Sequence, residues 1–290
     1  MRSCLTSRKI KSKIKTIAKE SRSGIKVLLP KKKFLQIVAF KEEQIKYSEM
    51  RLSTLLLQIK HKLPFTHFIS IPFTDEKMLK SFDEFRREVL QEPSTVYSNV
   101  DTLLFQNPNK IHLTFGILVL MTDEERTKAA RLLQQCREEI VKPFLENRSL
   151  VVDVKGIDVM HRDASKAHVL YAKIQDNGLL QTIANQIVDR FSKAELMGGQ
   201  KDGVKLHVTL MNSLFRQRKG KRRRSSDNNI PQNAEVKEKK RRECFDAREI
   251  LRRFGDFTFV DKLHLTEIHL SKVSFVDKDG YYSPMEKISL

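Results

Sequence analysis

Lys110-Ile111-His112-Leu113-Thr114-Phe115 and Lys205-Leu206-His207-Val208-Thr209-Leu210 are two copies of one pattern, far apart in a chain of 290 residues. Polar and apolar residues alternate with period two in both, which predicts β-strands. On a strand, residues two positions apart share a face. His112 and Thr114 therefore project together, as do His207 and Thr209, while the apolar residues take the opposite face. Two such strands side by side would line a cleft with two imidazoles and two hydroxyls. Imidazoles can act as general base and general acid near neutral pH. Hydroxyls can hydrogen-bond the oxygens of a phosphate. His112, Thr114, His207 and Thr209 are the candidate catalytic residues.

The chain also contains weaker matches. His264-Leu265-Thr266 follows Lys262-Leu263, but Glu267 stands where the two full copies carry Phe115 and Leu210. His269-Leu270-Ser271 lies too close to it for the two to represent separate halves. His269 is read as a hydrogen-bonded core histidine, with a place near the groove as the alternative. His61, His67, His161 and His168 each stand alone and are read as surface or satisfied core residues.

Outward from the two strands, Thr66 to the C-terminus reads strand, helix, strand, helix, strand, strand, helix, strand, helix, strands. The helices fall near 74–92, 122–146, 179–196 and 246–254, the second opened by the capping box Thr122-Asp123-Glu124-Glu125. The His strands are expected over about 110–120 and 204–215, and a last edge strand over 281–290. This is an α+β arrangement of two similar halves, one His strand in each, related by a pseudo-twofold across a central groove. Upstream, residues 8–62 read helix, strand, strand, helix, and Lys62-Leu63-Pro64-Phe65 reads as a joint. The division is 1–62 and 63–290.

The net charge of +19 is concentrated. Residues 1–63 carry 17 Lys/Arg against 4 Asp/Glu, and residues 216–242 carry 12 against 3, so the remainder is slightly acidic. Local basic concentration is the footprint of a polyanion partner. Residues 216–242 hold almost no apolar side chains and are expected to be a disordered insertion. Within them, Lys219, Lys221, Arg222, Arg223 and Arg224 form one cluster and Lys237, Lys239, Lys240, Arg241 and Arg242 a second, a spacing similar to a bipartite nuclear-import signal. No apolar run approaches the roughly 18 residues of a membrane helix, and no secretory h-region follows the N-terminus. Cys4, Cys136 and Cys244 form no pair with metal or disulfide spacing, so a reducing compartment and the absence of a metal or other cofactor are expected.

The two His-x-Thr copies resemble the paired motif of the two-histidine (2H) phosphoesterase superfamily. Phe105-Gln106-Asn107-Pro108-Asn109, Val169-Leu170-Tyr171-Ala172-Lys173 and Glu243-Cys244-Phe245-Asp246-Ala247-Arg248 extend the likeness over essentially 60–290, to the domain also found in A-kinase anchor proteins with a nuclear localisation signal. That resemblance implies a two-lobed 2H phosphoesterase-like domain with a central cleft and metal-free phosphodiester chemistry. It also implies that residues 8–62 are a truncated KH-like α-β-β-α module. Where a KH domain carries its Gly-x-x-Gly loop, this chain has Arg8-Lys9-Ile10-Lys11, so the close backbone approach that glycine permits is lost. Lys9, Lys11, Lys13, Lys15, Lys31, Lys32 and Lys33 remain candidates for nonspecific phosphate contacts. The partners implied are RNA and the subunits of a helicase-containing nuclear complex acting in transcription coactivation and alkylation-damage repair, with no membrane. The expected function is an RNA-associated subunit with a phosphate-binding cleft. The alternatives are an active RNA 2′,3′-cyclic phosphodiesterase and a purely structural adaptor.

Overall fold

The computed structural model describes residues 8–28, 34–60, 62–92, 97–146, 148–198, 202–216 and 242–290. It divides into two units, Met1–Phe65 and Thr66–Leu290.

In the first unit, Ile10, Ile14 and Ile17 recur at helical spacing in α1 (Arg8–Glu20). The hairpin β1 (Gly24–Leu28) and β2 (Phe34–Val38) is antiparallel, with Ile25 opposite Ile37. Helix α2 (Glu42–Lys60) brings Leu52 and Leu55 against Ile14 and Ile17, which makes a small core of its own. Lys9, Lys11, Lys13 and Lys15 are all exposed on α1. Lys31, Lys32 and Lys33 lie outside the described residues.

In the second unit the chain runs β3 (His67–Pro72), α3 (Glu76–Gln91), β4 (His112–Leu118), α4 (Asp123–Cys136), β5 (Leu150–Val159), β6 (Val169–Gln175), α5 (Leu179–Lys193), β7 (His207–Asn212), α6 (Arg248–Phe254), β8 (Thr258–Leu265), β9 (Glu267–Val276) and β10 (Tyr282–Ser289). All eight strands join one antiparallel sheet in the order β10-β9-β3-β4-β7-β6-β5-β8. The order is symmetric about the junction of β4 and β7, so the two His strands are the innermost pair. The last strand, β10, is an edge strand.

The helices lie over one face of the sheet because each carries one apolar stripe. Met78, Phe82, Phe85 and Val89 of α3 recur at i, i+4, i+7 and i+11, and all are buried. They cross to the far half and pack on β8, while α5 packs on β4. Each half therefore lends a helix to the other, and the core beneath is continuous. At about 1.5–3 kcal/mol for each fully buried large apolar side chain, this shared layer dominates the stability of the unit.

Three elements depart from the periodicity. The helix expected to reach Glu146 passes from α4 through a π-helical turn, Arg137–Val141, to a last turn at Lys142–Leu145, where Pro143 has no N–H to donate. The first His strand starts at His112 because Asn107 caps a 3₁₀ turn, Pro108–Lys110. The second ends at Asn212, whose side chain accepts the Leu214 N–H.

Arg216 and Arg242, the outermost residues of the expected insertion, belong to the folded domain. The Arg216 guanidinium meets Asp101 at 3.0 Å and Glu243 at 3.5 Å and donates to the Asn99 carbonyl at 2.7 Å. Arg242 donates to Ser213 Oγ at 2.6 Å, Asn212 Oδ1 at 2.7 Å and the His168 carbonyl at 3.0 Å. The chain on either side of 217–241 is thus fastened to one patch. Lys219, Lys221, Arg222, Arg223, Arg224, Lys237, Lys239, Lys240 and Arg241 lie outside the described residues. Arg242 is partly buried, which separates it from the cluster its charge suggested.

Candidate active site

Strands β4 and β7 meet with Leu113 opposite Val208, both fully buried in the core. Continuing that antiparallel register sets His112 across from Thr209 and Thr114 across from His207. All four are partly buried and face away from the core. The four candidates thus form a square on the face of the sheet opposite the helices, with the histidines on one diagonal and the threonines on the other.

Both strands are kinked at the same place. Strands β3 and β4 pair Ile69 with Gly116 and then Ser70 with Thr114, which leaves Phe115 as an extra residue. Strands β6 and β7 pair Leu170 with Met211 and then Tyr171 with Thr209, which leaves Leu210 extra. These β-bulges directly follow the threonine in each copy. They let two consecutive residues point inward, Phe115 and Gly116 in one half and Leu210 and Met211 in the other. At Gly116 the Met197 thioether packs into the space a Cβ would take. Past the first bulge the faces exchange, so Ile117 is exposed and Leu118 buried.

The two histidines are held identically. His112 Nδ1 lies 2.7 Å from the Lys110 carbonyl, and His207 Nδ1 lies 2.6 Å from the Lys205 carbonyl. A carbonyl only accepts, so Nδ1 must carry the hydrogen in both rings. The exchangeable site is therefore Nε2 in each case. Burial pushes His112 down to about 4, the Lys110 carbonyl opposes this, and the charge of the nearby His207 adds to the lowering. His207 is lowered too, first by burial and further by the Lys205 ammonium, with its carbonyl anchor opposing. Neutral imidazoles are the form a general base requires.

Aromatic rings fix both imidazoles from the side. Tyr282 stands edge-on to His112, with centroids 5.5 Å apart and planes at 85°, and Phe68 is 5.1 Å away. Tyr171 stands edge-on to His207 at 5.5 Å and 74°. The Tyr171 hydroxyl donates to Asp158 Oδ2 at 3.0 Å. The sequence reading missed Phe68, Tyr171, Tyr282 and Asp158. They come from β3, β6, β10 and β5, and no local spacing links them to the motifs. The remaining signal was indirect: Tyr171 and Lys173 sit in a strand that alternates as the His strands do.

Of the other histidines, His269 shares the sheet face of the site, opposite Ser70, which in turn opposes Thr114, and His67 does not. His269 is 4% exposed, and its Nε2 pairs with Glu267 at 2.8 Å, which makes it a buried, hydrogen-bonded residue of β9. His67 is buried on the helix-covered face, and burial, Arg126 and Lys272 lower it to about 4. Among the described residues, no three His, Cys, Asp or Glu side chains converge to hold a metal, and no helix is long and apolar enough to cross a membrane.

A symmetric sheet carrying two bulged His-x-Thr strands at its centre defines an α+β domain of two similar halves. Residues 65–290 match the family described as the AKAP7 2′5′ RNA ligase-like domain, and the chain belongs to that family. It is 35% identical over 236 residues to activating signal cointegrator 1 complex subunit 1 of Mus musculus, an alignment that covers 80% of this chain and 65% of the mouse protein. The chain thus spans just under two thirds of that relative's length. It is 24% identical over 229 residues to an uncharacterised protein of Schizosaccharomyces pombe, covering 77% of this chain and 95% of that one. Among solved structures, TT0787 of Thermus thermophilus superposes with a TM-score of 0.46 at 16% identity, covering 78% of this chain and 97% of that one.

Proposed function

We propose that the chain is a nuclear, RNA-associated subunit of the activating signal cointegrator complex, acting in transcription coactivation and alkylation-damage repair, whose cleft binds an RNA phosphate. The observation that supports it most directly is the square of His112, Thr209, Thr114 and His207 on one sheet face. Two hydroxyls and two imidazoles on one face of adjoining strands are the groups that one phosphoryl group would use. The partners in this reading are RNA and the other subunits of the complex, a helicase among them. The helix-strand-strand-helix order of the first unit supports its reading as a KH-like module, with Lys9, Lys11, Lys13 and Lys15 available to phosphates. Nuclear import rests on the two basic clusters within 219–241; unchanged nuclear accumulation after deletion of 217–241 would exclude them as the signal.

A second reading, turnover, is favoured by the matched carbonyl anchors. Binding alone does not require both rings to be locked in the same tautomer. Metal-free hydrolysis of a 2′,3′-cyclic phosphate does, because each Nε2 must exchange a proton. One neutral Nε2 takes a proton from water as the water oxygen bonds to phosphorus. The bond from phosphorus to one ribose oxygen breaks, and that oxygen receives the proton of the other, protonated imidazole. Thr114 and Thr209 hold the nonbridging oxygens. The net change is the addition of one water, and solvent exchange restores the two rings. Short RNAs ending in 2′,3′-cyclic phosphate distinguish the readings. Conversion to a phosphomonoester end establishes turnover, binding without conversion leaves the first reading, and neither binding nor conversion sinks both.

A further inference from the structure

The carbonyl anchors of the two histidines belong to Lys110 and Lys205, and the ammonium groups of these lysines are placed alike as well. Lys110 Nζ lies 4.9 Å from the centroid of Tyr282, the ring that stands edge-on to His112. Lys205 Nζ lies 4.7 Å from the centroid of Tyr171, the ring that stands edge-on to His207. A cation over an aromatic face within about 6 Å is attracted to it. The same Lys-Tyr-His stack is therefore assembled twice. The two tyrosines come from unrelated places, an edge strand in one half and a strand next to β7 in the other. Helix or strand periodicity does not produce such a coincidence, and a shared ligand would account for it.

The register shows where the two charges lie. Leu113 opposes Val208, and the strands run antiparallel. Lys110 is three residues before Leu113 and Lys205 three before Val208, so they sit at opposite ends of the square. Lys110 ends the turn that precedes β4 and Lys205 lies just ahead of β7, so the two lysines flank the histidines and threonines at opposite ends. Both imidazoles are held toward the neutral form by burial. The standing positive charge of the groove therefore lies at its ends rather than at its centre. A mononucleotide centred on the square offers nothing to either end. A phosphodiester chain running along β4 and β7 offers a phosphate to each.

We propose that Lys110 and Lys205 are two flanking phosphate subsites, so that the ligand of the groove is an oligonucleotide strand extending on both sides of the central phosphate. This deepens the RNA-phosphate reading above and rests on it. Lysine can serve here because it contacts phosphate as a point charge on a flexible stem. The tyrosine face beneath it limits where that charge can swing.

The test compares the full chain with Lys110→Met, Lys205→Met and the double variant, using a 2′-O-methyl tetranucleotide, which lacks a 2′-hydroxyl to attack its own phosphodiester, and a mononucleotide 3′-phosphate. For a single strand, log K falls with log salt by about 0.7 for each phosphate neutralised. Each single variant is expected to reduce the tetranucleotide salt slope by about 0.7 and the double variant by about 1.4, with mononucleotide affinity changed less than tetranucleotide affinity. Lys110→Arg and Lys205→Arg, which keep the charge and the ring contact, should restore the slope. Unchanged slopes in both methionine variants, or equal losses for mononucleotide and tetranucleotide, would overturn the flanking subsites while the RNA reading stands. If tetranucleotide binding is absent in the unaltered chain, or is indifferent to replacement of His112 and His207, the RNA-phosphate reading falls and the subsites with it.

Discussion

Replacing His112 or His207 by alanine is expected to lower the conversion of cyclic-phosphate RNA by about 10²–10⁴-fold each, the range a positioned acid or base contributes. The double variant should fall little below the worse single one, because the two rings act as a unit and their effects are not additive. The pH profile carries a second signature. Burial lowers both free imidazoles, His112 to about 4. In kcat/KM the rate rises as the base loses its proton and falls as the acid loses its own. Both limbs are therefore displaced below the ordinary histidine value of about 6.5, and the optimum lies on the acid side of neutrality. Removal of one ring should abolish one limb. An optimum above pH 8, or full activity in either alanine variant, would exclude this pair as the acid and base. The RNA assay is read by separating the ends on a gel, and circular dichroism checks that the variants are folded.

Phe85→Ala is expected to destabilise the second unit by about 3–5 kcal/mol, the usual cost of truncating a fully buried phenylalanine. Phe85 is 0% exposed and meets four rings: Phe254 at 5.1 Å, Phe259 at 5.6 Å, Phe257 at 6.0 Å and Phe105 at 6.3 Å. Three of these rings follow the 217–241 segment, and Phe85 is on the helix that the first half lends to β8. The substitution thus empties mainly the contact between the halves, since of the four rings only Phe105 belongs to the same half as Phe85. At roughly 2–4 °C per kcal/mol for a unit of this size, Tm should drop by about 6–20 °C. Urea unfolding should show a lower midpoint with an unchanged m-value. A loss below about 1 kcal/mol would mean that the surrounding rings collapse into the space and that α3 is not the bridge its packing implies.

The paired pattern was legible because strand periodicity is local: six residues are enough to show which face each side chain takes. The sixth position, Phe115 and Leu210, matched in the two copies for a reason that periodicity does not express. Each is the extra residue of a bulge, and a bulge is visible only against the partner strand. The helices were legible as types because Met78, Phe82, Phe85 and Val89 repeat at helical spacing. Their crossing to the opposite half was not, since an amphipathic stripe states that a face is buried and not against what. Tyr171, Tyr282 and Asp158 escaped for the same reason: each is an ordinary strand residue until the sheet order places it beside a motif. Arg242 shows the reverse limit. Counting charges groups it with Lys239, Lys240 and Arg241, whereas three acceptors draw its guanidinium into the domain.

Arg216 and Arg242, on either side of positions 217–241, are both fastened to the folded domain. Their partners Asn99, Asp101, His168, Asn212 and Ser213 all precede that stretch. Closing such a stretch costs only about 0.6 kcal/mol more for each doubling of its length. Exchange of 217–241 for a fluorescent reporter or a foreign address label is therefore expected to leave the Tm of the second unit unchanged.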